Sequence, residues 1–126
     1  MLKEDYVSFE VAKLLKEKGF DEPCRSYFIS DLGNYRRCTV DITSKNCSSE
    51  QILRPTHQMA MRWLREKHYI YADPIKQGNY NDCSEYYTWI VARMGIIHRN
   101  PSVADKLYYE EAAEAALKYS LENLIS

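Results

Sequence analysis

After Pro23 the apolar residues stop recurring at helical spacing and begin to alternate, and after Pro55 the spacing turns helical again. A chain that changes period in this way builds both helices and strands, because a 3.6-residue repeat and a two-residue repeat each bury a different kind of face. Residues 8–18 open the pattern. Ser8 is placed to cap a first helix, Val11, Ala12, Leu14, Leu15 and Lys18 follow at helical spacing, and Gly19 stops it. Phe20, just past the glycine, can fold back on the last turn.

Residues 26–30 and 35–42 then flank Asp31-Leu32-Gly33-Asn34, which reads as a hairpin loop. On the second of these strands Cys38, Val40 and Ile42 alternate with Arg37, Thr39 and Asp41, as in a half-buried antiparallel strand. Residues 43–49 are polar and predict a loop. A second helix is predicted over 57–67, capped by Thr56. Its one wide apolar stripe is Met59, Ala60, Trp63 and Leu64, so Trp63 is expected to be buried against the sheet. A short strand at 69–72 is expected to end at Asp73-Pro74, and residues 77–82 read as a loop. Residues 86–94 hold the strongest β composition of the chain, with Tyr86, Tyr87, Thr88, Trp89, Ile90 and Val91 in a row. Asn100-Pro101 predicts another turn. A last helix over 109–124 places Ala113, Leu117, Leu121 and Leu124 on one face, with Glu110 and Glu111 at its positive end.

The order is α-β-β-α-β-β-α. It predicts an α+β domain with one antiparallel sheet of about four strands, covered on one face by three helices. A chain of 126 residues is long enough to bury one core, so residues 1–126 are expected to form a single domain without structural metal or disulfides. The N-terminus lacks an export signal and no stretch has the length of a membrane span, which makes the cytoplasm the expected location.

Charge narrows the function classes. The net charge of −1 produces no global field for nucleic acid or an anionic membrane. Residues 25–67 carry eight basic and four acidic groups, net +4, between two acidic ends. With glycines only at 19, 33, 78 and 95, neither a dinucleotide-binding nor a Walker loop can be written. Cys24, Cys38, Cys47 and Cys83 lack paired zinc-site spacing, as do His57, His68 and His98. Free thiols are expected, with Cys38 in the core, and no metal or other cofactor is expected. No nucleophile elbow or cysteine-protease signature surrounds these residues, so no catalytic residue is assigned.

What remains is aromatic and basic. The chain has eleven tyrosines, and Tyr69 and Tyr71 are predicted to share one face of a strand. Arg36, Arg37, Arg54, Arg62 and Arg65 supply guanidinium groups. Tyrosine with arginine suits protein–protein hot spots and also base stacking. Arg36, Arg37, Arg62, Arg65, Tyr69 and Tyr71 are the candidate binding surface.

Three segments carry a resemblance: 5–20 (DYVSFEVAKLLKEKGF), 55–66 (PTHQMAMRWLRE) and 109–112 (YEEA). Together they resemble a group of small uncharacterised proteins from phages and integrated elements of gut anaerobes. In that group a Ser or Thr often precedes the Tyr-Glu-Glu run. Tyr108 stands there in this chain, which removes the hydroxyl half of a capping box. The resemblance implies a small accessory protein or a host-directed binding protein, rather than a metabolic enzyme. The expected function is therefore non-enzymatic binding of another protein, or self-association. The alternative is a nucleic-acid- or nucleotide-binding module built on the Arg/Tyr-rich middle segment.

Overall fold

Gly19 ends the first helix as expected. Its φ of +89° lies in the left-handed region that glycine tolerates, and the Phe20 N–H then donates to the Leu15 carbonyl at 2.9 Å. The computed structural model describes residues 5–29, 34–48, 51–77, 86–100 and 107–125. Helix α1 (Phe9–Glu17) is capped by the Ser8 hydroxyl, which accepts from the Val11 N–H at 3.2 Å, and it buries Val11, Ala12 and Leu15. Phe20 is buried edge-on against Trp63, ring centres 5.4 Å apart.

Strand β1 (Cys24–Phe28) starts two residues earlier than expected and pairs antiparallel with β2 (Tyr35–Ile42). Asp31, Leu32 and Gly33 of the expected hairpin loop lie outside the described residues, as do Ser49, the loop at 78–82 and Pro101. The alternation read on β2 does not translate into burial: Cys38 and Ile42 are half-buried, and Val40 is 64% exposed. The register explains why. Ser26 opposes Arg37 and Cys24 opposes Ile42, so β2 has four residues where β1 has only Arg25. The excess bulges out of the ladder and takes Val40 with it.

Two strands escaped the sequence reading. A 3-10 turn (Ser44–Asn46) precedes β3 (Ile52–Leu53), which lines the other side of β1 and is too short to show a period. Helix α2 (His57–His68) is capped by Thr56, whose hydroxyl accepts from the Met59 N–H; of the expected stripe it buries Ala60, Trp63 and Leu64, while Met59 is half-buried and Met61, outside the stripe, is buried in its place. Tyr69 then takes a left-handed conformation, φ 57°, as the C-cap. It lies before the next strand and does not share a strand face with Tyr71.

Strand β4 (Ile70–Gln77) does not stop at Asp73-Pro74 as expected. It runs through Pro74 and pairs along its whole length with β5 (Tyr86–Arg93). β4 is an edge strand, where a proline without an N–H can sit on the unpaired side. Met94 and Gly95, at φ 51° and 82°, then make a two-residue hairpin turn to β6 (Ile96–Arg99). Positive φ at both positions is the type I′ requirement, which Asn-Gly announces and Met-Gly does not.

Helix α3 (Tyr109–Asn123) buries Ala112, Ala113, Ala116, Leu117, Ser120 and Leu121. The missing hydroxyl at Tyr108 leaves half of the capping box: Glu111 still accepts from the Tyr108 N–H at 3.0 Å. Among the described residues the architecture is thus α+β with three helices, in the order α-β-β-β-α-β-β-β-α. The single sheet expected from the sequence is two three-stranded antiparallel sheets, β2-β1-β3 and β4-β5-β6. The division follows from α2, which lies between them in the chain and packs on the second sheet rather than bridging the two edges. No described helix is long and apolar enough to cross a membrane.

The core lies between the second sheet and the helices. Along β5, Tyr87, Trp89, Val91 and Arg93 point to α3. Tyr87 meets Tyr109, Trp89 meets Tyr119, Val91 is fully buried, and Arg93 donates to the Leu124 carbonyl at 2.6 Å. His98 of β6 completes this face through a 2.9 Å hydrogen bond with the Tyr119 hydroxyl.

Candidate functional site

Alternation then dictates the other face. Because directly paired residues share a side, the partners of Ala92 and Ile90 form two rows across the sheet. One row is Tyr71, Ala92 and Ile97, and the next is Asp73, Ile90 and Arg99. Ile75 and Thr88 continue the same side. No described helix packs there, since α2 and α3 lie on the core side. Tyr71 is 53% and Ile97 54% exposed, and Asp73 and Arg99 are exposed. Neither charge has an ion-pair partner among the described residues. Beyond the first row, Tyr69 and Met94 add exposed apolar surface at the hairpin end, while Ile96, paired with Arg93, lies on the opposite side of the sheet. The result is a mixed apolar face with one free charge at each side.

The six sequence-selected residues do not sit on one element. Arg36 and Arg37 are on β2, exposed, with side chains on opposite faces of their strand. Arg62 and Arg65 are on α2, where Arg62 bonds Glu66 at 3.1 Å beside a cleft of about 190 Å³ lined by Met59 and Trp63. Tyr69 and Tyr71 belong to the hairpin end of the second sheet. Ile97 and Arg99 were missed because β6 was missed. The signal was available in Ile96-Ile97-His98-Arg99 directly after Gly95.

A second aromatic cluster surrounds Arg54. Its guanidinium lies 3.9 Å from the Tyr6 ring centre and 3.7 Å from that of Tyr35, with Phe28 at 5.7 Å. Nη1 donates to Ser26 Oγ at 3.1 Å, and that hydroxyl donates to the Arg36 carbonyl. Burial draws the Arg54 pKa down from its ordinary value. This stack ties residue 6, β1, β2 and the end of β3 together, and Arg54 already occupies a face of each tyrosine.

A third cluster joins the helices. Glu114 of α3 accepts from the Ser8 N–H and hydroxyl, both at 2.7 Å, and lies 2.8 Å from His57 Nε2. Burial pushes its carboxyl up, but the hydrogen bonds from His57 and Ser8 outweigh this and hold it below the usual range. Although serine, histidine and a carboxylate meet here, the order is wrong for an activated nucleophile. The Ser8 proton goes to the carboxylate and not to the imidazole. The cluster ties the N-terminal ends of α1 and α2 to α3.

Burial also corrects the cysteine reading. Cys24, not Cys38, is the core thiol, and burial pushes its pKa up to about 12, so it stays a neutral hydrophobe at neutral pH. Cys83 lies outside the described residues. Among the described residues no group of three or more His, Cys, Asp or Glu is placed to hold a metal. No family model, curated protein or solved structure matches the chain.

Proposed function

We propose that the protein is a small accessory protein that acts by binding another protein, and that it binds through the uncovered face of the second sheet. The phage or mobile-element setting comes from the resemblance of its helical motifs. One observation supports the binding reading above the others. The strand register collects Tyr71, Ile75, Ile90, Ala92 and Ile97 on the face of the second sheet that no described helix covers. Contiguous exposed apolar surface with a polar edge is characteristic of interaction sites, and tyrosine among aliphatic side chains suits the centre of an interface. The nucleic-acid reading has less behind it. Its arginines are divided between β2 and α2, Arg62 is paired with Glu66, and Arg54 covers the ring faces on which bases would stack.

Site-specific photo-crosslinking tests the reading. Benzoylphenylalanine placed at Ile97 in the native host is expected to yield a discrete protein adduct, and at Thr39 of β2 to yield none. No adduct from position 97, or the same adducts from both positions, overturns it.

A further inference from the structure

We infer that the partner of this face is a second copy of the chain, bound face to face across a two-fold axis that runs along β5. The inference rests on the protein-binding reading above and adds the identity of the partner. Its basis is the position of the two free charges. Asp73 and Arg99 stand in one row on either side of Ile90, one strand to the left and one to the right. A half-turn about an axis along β5 exchanges left and right while keeping each row at its own height. It therefore sets Asp73 of one copy against Arg99 of the other, twice. In the neighbouring row the same operation sets Tyr71 against Ile97, twice, while Ile90 and Ala92 meet their own counterparts. Every position of the two rows receives a suitable neighbour, which is the self-complementarity that an isologous contact demands.

The competing arrangements are worse. A half-turn about an axis across the strands at this row places Asp73 on Asp73 and Arg99 on Arg99, and like charges in contact disfavour that pose. The favoured axis leaves the strands of the two sheets aligned, the common mode of sheet-on-sheet packing, with a crossing of about 30° from strand twist. Asp73 and Arg99 each lie one strand, about 4.8 Å, from the axis. A 30° crossing displaces positions at that radius by only ~2.5 Å, well within the reach of an arginine. Sheets packed in this way stand about 10 Å apart, a gap that an aspartate and an arginine together span. The tyrosine and isoleucine rows meanwhile bury each other's exposed apolar surface, which is the main driving term. Among the described residues the face also lacks the inward-pointing lysines and the covering helix with which a monomer blocks such contacts.

The test is sedimentation equilibrium on the purified full chain, with circular dichroism to confirm that each variant is folded. All three positions are exposed, so the fold is expected to hold. The wild type should show a concentration-dependent dimer in the micromolar range typical of a small interface. Arg99→Asp should weaken it at least about tenfold, because both ends of the contact then oppose two acids. Asp73→Arg combined with Arg99→Asp restores the charge pairs with reversed sign and should recover most of the loss. Ile97→Asp should abolish the dimer. A wild type that stays monomeric at about 500 μM, well above such a range, overturns the inference. So does an Arg99→Asp dimer of unchanged strength, or a double variant no better than the single one. If position 97 crosslinks to a different protein while the purified chain is monomeric, self-pairing fails and the protein-binding reading stands. If neither adduct nor dimer forms, both fail.

Discussion

The two sheets of this protein have the same number of strands and the same antiparallel pairing, yet they stand in opposite relations to the core. The second sheet presents Ile70, Ala72, Trp89 and Val91 to the helices, and all four are buried. In the first sheet β1 buries Cys24, Ser26 and Phe28, while β2 is exposed along most of its length and adds only Ile42 to the edge of the core. Both regions carry a strand signal in the sequence, alternation at 35–42 and β composition at 86–94. What differs is the arrival of a helix from far away in the chain. Local pattern therefore decides that a strand forms, and non-local packing decides which of its faces is dry.

This contrast can be broken first at its centre. Trp63 is 5% exposed and packs edge-on against Phe20, just past α1, and His68, at the end of its own helix. Trp63→Ala is expected to destabilise the fold by about 3–5 kcal/mol, the range for removing a large buried aromatic ring. Urea denaturation measures it, through a lower midpoint at similar slope. A loss below about 1 kcal/mol would mean that the apolar stripe of α2 is not part of the core.

A smaller effect is expected at the junction of the helices, where Glu114 bonds both Ser8 and His57. Glu114→Gln keeps the shape but replaces charge-assisted hydrogen bonds with neutral ones. It should cost about 1–2 kcal/mol at pH 7, given that hydrogen bonds to charged groups are worth roughly twice as much as neutral ones. The pH dependence gives the sign. A carboxyl held low in the folded state adds stability in full above its unfolded value of about 4.3, and loses it as pH falls through the lower folded value. The difference between wild type and Glu114→Gln should therefore be largest near neutrality and shrink in acid. A difference that grows on acidification would show that the carboxyl is not stabilised in its charged form.

The same contrast explains how far the sequence could be read. Ser8, Thr56 and Gly19 mark helix ends through local chemistry, and each sits where its chemistry requires. Trp63 was legible because a helical stripe needs no knowledge of its partner. Ile52–Leu53 and the turn at Met94-Gly95 were not legible: two residues have no period, and Met-Gly is not a common turn pair. Losing β6 hid the row that joins Asp73 to Arg99 through Ile90, so the candidate face was known only by Tyr71 and the flanking Tyr69. Arg36, Arg37, Arg62 and Arg65 were grouped by nearness in sequence, and the fold distributes them over two elements.

Val40 is where the contrast predicts almost nothing, and that makes it informative. By alternation it belongs to the buried face of β2 with Cys38 and Ile42. In the fold it lies in the segment where four residues of β2 face one of β1, and it is 64% exposed. If alternation ruled, Val40→Thr would bury a hydroxyl and cost about 1–3 kcal/mol. Because the bulge carries the side chain into water, the change is expected to stay within about 0.5 kcal/mol, the range of an ordinary surface substitution. The Arg25–Asp41 pair beside it, 3.0 Å apart and exposed at both ends, should contribute little to that balance. Denaturation midpoints of wild type and Val40→Thr, compared at equal slope, check this. A shift above about 1 kcal/mol would mean that β2 packs against something in solution, and the first sheet would then resemble the second rather than oppose it.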